Sequence, residues 1–390
     1  MIRGEESSPV MTKNIDQGMG QKELQKIVLN THLCTGCGAC VGLCPYHAYY
    51  NDNIVILHEC NINEGRCFTF CPRTPTDLEV LRKVLFDERD LTGELGAVKG
   101  FYITRASDIQ VRKNAQHGGT VTALLTLALQ EGVIEKAIVA EGQENFLPRS
   151  VTISDPSEIK KMGKSKFVVS PTIAEFNKIA KAKPGKIGLV ATPCQALAVA
   201  KMRFARTAGS ENNIDRLKLV IGLFCGWTLS WHKVVNLLRK KTDLEGIIGM
   251  DIPPSKYHTL EVYTRNGTVG ISLDEVTPCI REACLYCFDM TAEFSDISVG
   301  SARLSEGWKV ARSWNQVIAR TQTGYELMEL ARSRGLLEFM DVPRENLEKL
   351  KKASMNKKRR ALKSLIDKSG HSNELLYLDR HDPVVRTLLE

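Results

Sequence analysis

Long apolar runs are missing from this chain. No stretch of about 18 apolar residues occurs, so a transmembrane helix is not expected. The opening MIRGEESSPVMTKNIDQG lacks the apolar segment of a secretory leader, and an export signal is not expected either. There is no G-x-G-x-x-G run and no Walker A run, so any dinucleotide is held by something other than a Rossmann fingerprint. Aromatic residues are scarce, at 6% of 390. The formal net charge is +8, but the basic residues are not interleaved with aromatics along one stripe. That pattern argues for a solvated basic surface and against nucleic acid as a partner. The apolar fraction is ordinary, and the length allows roughly two or three domains.

Cysteine, by contrast, is plentiful, with twelve in the chain. Without an export signal, that number points to metal or redox chemistry in a reducing, cytoplasmic setting rather than to a disulfide scaffold. The first run, Cys34-x₂-Cys37-x₂-Cys40-x₃-Cys44-Pro45, is the bacterial ferredoxin signature. Three closely spaced thiolates wrap one 4Fe–4S cubane, and the fourth, followed by proline, turns towards a second. The next run is irregular: Cys60, then Cys67-x₃-Cys71-Pro72, with no cysteine where Asn63 or Glu64 stands. By two-cluster logic, Cys34, Cys37, Cys40 and Cys71 complete one cluster, while Cys44, Cys60 and Cys67 supply three ligands to the other. An oxygen ligand such as Glu64, a three-iron cluster, or no second cluster are the open alternatives.

Five more cysteines lie further on. Cys194 follows the apolar run 187–190 and Cys225 follows the run 217–223; both runs read as buried parallel strands. Ligands of open α/β sheets bind at the carboxyl edge of such strands. Cys284-x₂-Cys287 alone is compatible with half a zinc site, a redox pair or two buried thiols. Joined to Cys194 and Cys225, it would hold an iron–sulfur cluster or zinc. Cys279 is a spare ligand or a bystander.

Elsewhere, Gln116-His117-Gly118-Gly119 precedes an apolar helix, TVTALLTLALQEG, whose N-terminus offers N–H groups to a phosphate or a flavin oxygen. Lys164-Ser165-Lys166 is a second place for a phosphate. Strands are expected at 100–106, 133–140, 296–299 and 317–321, and a hairpin at 258–273 turning on Asn266-Gly267. Residues 78–98 read as a charged helical connector. The helix over 345–368, with Lys357-Lys358-Arg359-Arg360, reads as exposed or as a docking surface for an acidic partner subunit.

Five segments, QHGGTVTALLTLALQEG (116–132), KSKFVVSP (164–171), ATPCQ (191–195), GLFC (222–225) and ACLYCFDMTAEFSDISVGS (283–301), together resemble the family of coenzyme F420 hydrogenase/dehydrogenase beta subunits over about residues 98–340. The last resembles most the formate-dehydrogenase and F420-reducing hydrogenase type. The resemblance implies an α/β catalytic domain with a mixed/parallel sheet, preceded by a small α+β ferredoxin-like iron–sulfur domain. The divisions expected are an N-terminal extension (1–30), the ferredoxin-like domain (31–80), a helical linker (81–98), an FAD/F420-binding catalytic domain (99–343) and a basic helical tail (344–390). It further implies FAD, hydride exchange with coenzyme F420, and a 4Fe–4S cluster on Cys194, Cys225, Cys284 and Cys287. Gly118, Gly119 and Lys166 would contact FAD, with His117, Thr120, Lys164 and Ser165 beside them. Single electrons would pass to or from other redox subunits, of formate dehydrogenase, hydrogenase or heterodisulfide reductase type. No side chain is required as acid, base or nucleophile. Relatives that reduce an organic substrate from ferredoxin offer a different reading, as does a non-catalytic electron-relay subunit. His117, and the residues KVARSWNQ after Gly307-Trp308, depart from the family pattern.

Overall fold

The computed structural model describes residues 19–390 except 183, 208, 210–211, 254–256 and 372–373. Most of the expected extension, residues 1–18, lies outside the described residues. The rest of it is not an extension. Gln21–Leu24 and Gln25–Leu29 form helical turns that bury Gln21, Leu24 and Val28 against the cysteine-rich module. That module also contains the hairpin β1 (His47–Tyr50) and β2 (Asn53–Ile56) and ends in the helix α1 (Leu78–Leu85).

A helical linker does not follow. α1 stops at Leu85, with the next residue, Phe86, already extended. Residues 88–97 make a turn and a two-residue strand pair, with Leu95 and Ala97 fully buried. The charges of this stretch suggest an exposed helix, but Gly96 takes φ +69 and lies against the Glu293 side chain, where a Cβ would crowd it. The buried Arg320 side chain fixes the stretch to the core by donating to the carbonyl oxygens of Leu95 and Ala97.

The larger unit is an eight-stranded mixed sheet. Its strands are β3 (Gly100–Ala106), β4 (Lys136–Glu141), β5 (Arg149–Ile153), β6 (Ile187–Ala191), β7 (Leu217–Leu223), then β11 (Ile297–Ser301), β12 (Asn315–Ala319) and β13 (Leu337–Met340). Between β7 and β11 comes a separate three-stranded sheet, β8 (Ile247–Asp251), β9 (Thr259–Thr264) and β10 (Gly267–Ser272), with the expected turn at Asn266-Gly267. Across the large sheet the order is β13-β3-β12-β11-β7-β6-β4-β5. The middle four, β11, β7, β6 and β4, are parallel and the outer pairings antiparallel. Strands buried on both faces need continuous apolar runs, as in β6 and β7.

Helices cover both faces. The helix α2 (Thr120–Gln130) buries Leu124, Leu125, Leu127 and Ala128, which are apolar nearly all round because the helix lies in the core. On the other side lie α3 (Thr172–Ala182) and α4 (Pro193–Thr207); later in the chain, α5 (Gln322–Ser333) packs beside α2, and α6 (Arg344–Ser369) follows it. α6 is not an exposed helix. Leu350, Ser354, Lys357, Lys358, Ala361, Leu362 and Leu365 are all buried along one face. The basic run is therefore split: Lys357 and Lys358 point inward, Arg359 and Arg360 outward. Among the described residues no helix is long and apolar enough to cross a membrane.

Candidate functional site

The parallel register of β6, β7 and β11 decides where the second set of cysteines meets. Cys194 stands in the first turn of α4, just past β6; Cys225 stands just past β7. The loop carrying Cys284 and Cys287 lies across the sheet because Gly222 of β7 has no side chain. A Cβ there would collide with Ala292 Cβ and with Ser295 Oγ. Cys225 N–H donates to Met290 O at 2.9 Å, tying the two segments together. All four cysteines line one cavity, with Thr35, Arg73, Val169, Thr192, Trp227 and Lys357.

The surroundings suit anionic sulfur. Thr192 Oγ1 is 3.2 Å from Cys194 Sγ, and Thr228 N–H and Oγ1 lie 3.3 and 3.4 Å from Cys284 Sγ. Burial pushes the Cys225 and Cys194 thiols up, as for any charge taken out of water. At Cys287 burial acts the same way, but the Lys357 ammonium and Arg73 guanidinium outweigh it and bring the thiol below its usual value. Lys357 donates to Cys225 O at 2.7 Å and Gly226 O at 2.9 Å, and Arg73 to Ala283 O at 3.2 Å. Buried cations beside buried thiols are the compensation that a negatively charged cluster requires. The Nε groups of Arg73 and Arg281 are buried donors with no protein partner. Among the described residues no three His, Cys, Asp or Glu side chains converge tightly enough to ligate a single ion. Four cysteines on one cavity with the cations of Lys357 and Arg73 beside them form a donor set that fits an iron–sulfur cluster.

In the N-terminal module the cysteines divide into two neighbouring groups. Burial raises the Cys37 thiol well above its usual value, and so do Cys194, Cys71 and Cys34 beside it. Cys40 is raised by burial, by Cys34, Cys37 and Cys71, and also by Cys67 of the other group. Cys67 is pushed up to about 11 by burial, with Cys44 and Cys60 as the neighbouring thiols. Backbone N–H groups face sulfur here as well, Arg73 N to Cys71 Sγ and Ile62 N to Cys60 Sγ, both at 3.4 Å. Glu64 and Asn63 are exposed. His47, which no sequence motif marks, is buried with Nδ1 3.8 Å from Cys44 Sγ. Cys279 belongs to neither group; it is buried in the apolar core of the three-stranded sheet with Leu229, Val234 and Leu260.

The Cys34–Cys44 loop is docked on α3. Asn177 Nδ2 donates to Ala39 O at 3.1 Å and Val41 O at 2.7 Å, and Gly38, at φ +85, leaves no room for a side chain against Ala174.

The glycine and lysine segments also meet. Gln116 Oε1 accepts from Ser165 N–H at 3.1 Å, and Gln116 Nε2 donates to Met250 O at 3.0 Å. Gly118 and Gly119 have packing reasons of their own: Gly118 faces Asn315 and Thr104, and Gly119 takes φ +79 as the residue before α2. Thr120 is fully buried, its N–H held by Asn315 Oδ1 at 3.2 Å and its hydroxyl 2.9 Å from Thr104 Oγ1. The first helical N–H is therefore spoken for. Lys166 Nζ donates to Gly163 O at 2.7 Å, and burial lowers its pKa; Lys164 is exposed and donates to Ile248 O.

Beside these segments three buried polar atoms have no partner: His117 Nδ1, Asp251 Oδ2 and Trp308 Nε1. The His117 and Trp308 rings meet edge to face at 5.6 Å, and Arg303 lies over Trp308 at 5.1 Å. Burial, then Arg303 and Arg312, press the His117 pKa down against the pull of Asp251. Neither Asp251 nor Trp308 is marked by the sequence motifs. The buried lysines have a visible signal: Ser354, Lys357/Lys358, Ala361 and Leu365 fall at the spacing of one helical face.

Fold and cysteines together define an iron–sulfur protein built on a mixed α/β sheet. Family models match at residues 185–345 and 101–175, described as the C terminus and N-term of the coenzyme F420 hydrogenase/dehydrogenase beta subunit, and at 27–50, a 4Fe–4S binding domain. The chain belongs to the family of coenzyme F420 hydrogenase/dehydrogenase beta subunits. It is 31% identical over 277 residues to the coenzyme F420 hydrogenase subunit beta of Methanothermobacter thermautotrophicus, covering 70% of this chain and 95% of that one. It is 27% identical over 331 residues to a chain of the F(420)H(2) dehydrogenase of Methanosarcina mazei, covering 82% of this chain and 88% of that one. A chain of the F420-reducing [NiFe] hydrogenase complex from Methanosarcina barkeri shares the fold, with a TM-score of 0.62 at 24% identity over 70% of this chain and 94% of its own.

Proposed function

We propose that the protein is an FAD- and iron–sulfur-containing oxidoreductase subunit that exchanges hydride with coenzyme F420 and passes single electrons to or from a partner complex. The observation that carries this reading is the cavity lined by Cys194, Cys225, Cys284 and Cys287, with Arg73 of the ferredoxin-like module in its wall. When bound, a flavin exchanges electrons both as pairs and singly, and the clusters carry them singly. The rest falls to the chain. Cys194, Cys225, Cys284 and Cys287 would hold one cluster, and Cys34, Cys37, Cys40 and Cys71 another. Cys44, Cys60 and Cys67 supply three ligands to a further one. Arg73, Lys201 and Lys357 compensate the negative charge; Lys201 donates to Cys71 O at 2.8 Å. His117, Asp251 and Trp308 offer two nitrogens and one carboxylate oxygen, a set able to meet the polar edge of a flavin or deazaflavin ring. Lys164 and Lys166 suit a phosphate.

The named relatives are subunits of hydrogenase and dehydrogenase enzymes, which supports other redox subunits as partners. Twelve cysteines, none in a disulfide among the described residues, support a reducing, cytoplasmic setting.

The test is anaerobic. FAD is added to iron-loaded protein, then reduced F420, and the visible spectrum is followed. Oxidation of F420 with bleaching of the iron–sulfur absorbance supports the reading. Bound flavin with untouched F420 turns it towards another donor, a nicotinamide or ferredoxin.

A further inference from the structure

Arg73 touches both cysteine sets at once. Its backbone N–H donates to Cys71 Sγ at 3.4 Å, in the set of the ferredoxin-like module. Its guanidinium donates to Ala283 O, one residue before Cys284 of the other set, and shares the wall of one cavity with Cys287. The guanidinium also stacks over the Tyr377 ring at 4.5 Å. Arg73 lines the cavity of the four catalytic-domain cysteines and the neighbouring one that includes Cys194, Cys287 and Tyr377. The side chain is buried, with only 3% of the residue exposed, and it forms no ion pair with a carboxylate among the described residues. A buried cation without a compensating anion is costly. The anions at hand are thiolates, so the position is built for charge held on sulfur and iron.

We propose that Arg73 is a positioning residue that joins the two iron–sulfur centres: its backbone fixes one, and its charge sets the reduction potential of the other. This rests on the cluster reading above. A cluster gains one negative charge when it takes up an electron, and a fixed cation beside it favours that form. Arg73 therefore raises the potential of the centre on Cys194, Cys225, Cys284 and Cys287. A single electron passing between the sets oxidises one as it reduces the other, with no bond made or broken.

The test compares Arg73→Gln with Arg73→Lys in the full chain. Iron content and low-temperature EPR of the unaltered protein come first; absence of both cluster signals would overturn the cluster reading and this inference with it. With the clusters present, potentials are read by EPR-monitored redox titration. Arg73→Gln, which keeps a donor for Ala283 O but no charge, should lower the potential of the catalytic-domain centre by about tenfold in its reduction equilibrium, about 59 mV for one electron. Arg73→Lys should keep it near the unaltered value. Equal shifts in both variants, or none in either, would make Arg73 a packing strap and overturn the proposal. Should Arg73→Gln fail to hold its clusters, Arg73→Met, which keeps an apolar stem over Tyr377, takes its place in the comparison.

Discussion

Glu293 shows what one buried carboxylate does for this fold. It pairs with Lys358 of α6, and Arg82 of α1 lies 3.6 Å from its other oxygen. Arg82 also holds Asp382 at 2.7 Å. Burial alone would raise the Glu293 carboxyl, but Lys358 and Arg82 reverse the sign and hold it below the usual carboxylate value. Glu293→Gln leaves Lys358 buried without its counter-charge, a loss of about 3–5 kcal/mol. The pH dependence follows from the same sign. The unfolded chain binds the proton at a higher pH than the folded one. The stability from this group is complete above the unfolded value and is lost as pH falls through the folded one. Urea unfolding midpoints should fall on acidification for the unaltered protein, while those of Glu293→Gln start lower and fall less. Equal acid slopes for the two would show that Glu293 is not the group responsible.

Among the elements, β7 and the loop laid over it depend on each other. Gly222→Ala puts a methyl group where Ala292 and Ser295 already stand. The loop bearing Cys284 and Cys287 has to shift, so iron content should drop by one cluster's worth while the cysteine-rich N-terminal module keeps its own. Iron analysis with EPR reads this, and full retention of all signals would show that the loop tolerates displacement. The elements differ in how far they are legible in the sequence. β3 is readable to the residue, and β6, β7 and the Asn266-Gly267 hairpin within a few, because burial and turn chemistry act locally. β12 starts two residues earlier than expected, at Asn315, because its polar side chains serve the site: Asn315 holds Thr120 N–H. The stretch 88–97 departs from the helix expected of it because the buried arginine that fixes it, Arg320, is more than two hundred positions away. The cysteines are legible as a set because their spacing is chemical. Arg73 and Trp308 are not, because only tertiary packing brings them to the site. Asp251 is hidden for the same reason.

At the scale of the whole molecule, the cysteine-rich N-terminal module is not a bead on a string. It is docked on α3 through Asn177, and the segment leading into α1 meets the C-terminal segment, with Thr76 N–H donating to Tyr377 O at 3.0 Å. α6 supplies Lys357 to the cavity of the four cysteines and keeps Arg359 and Arg360 on its outer face. Lys357→Met should therefore diminish the catalytic-domain cluster signal in the isolated protein, with little change in overall folding by circular dichroism. An unchanged cluster signal with weaker binding to an acidic partner would restore the docking role.

The clasp between Arg82 and Asp382 spans 300 positions of the chain. Seen from the ribosome, that distance is an interval of time. Cys34 to Cys71 emerge early, whereas Lys357, Tyr377 and Asp382 emerge last. On the proposed ligand sets, the cysteines of the first centre are all out early, while the cavity of the second lacks Lys357 until synthesis nears its end, so a chain cut short within α6 should leave that centre unfinished.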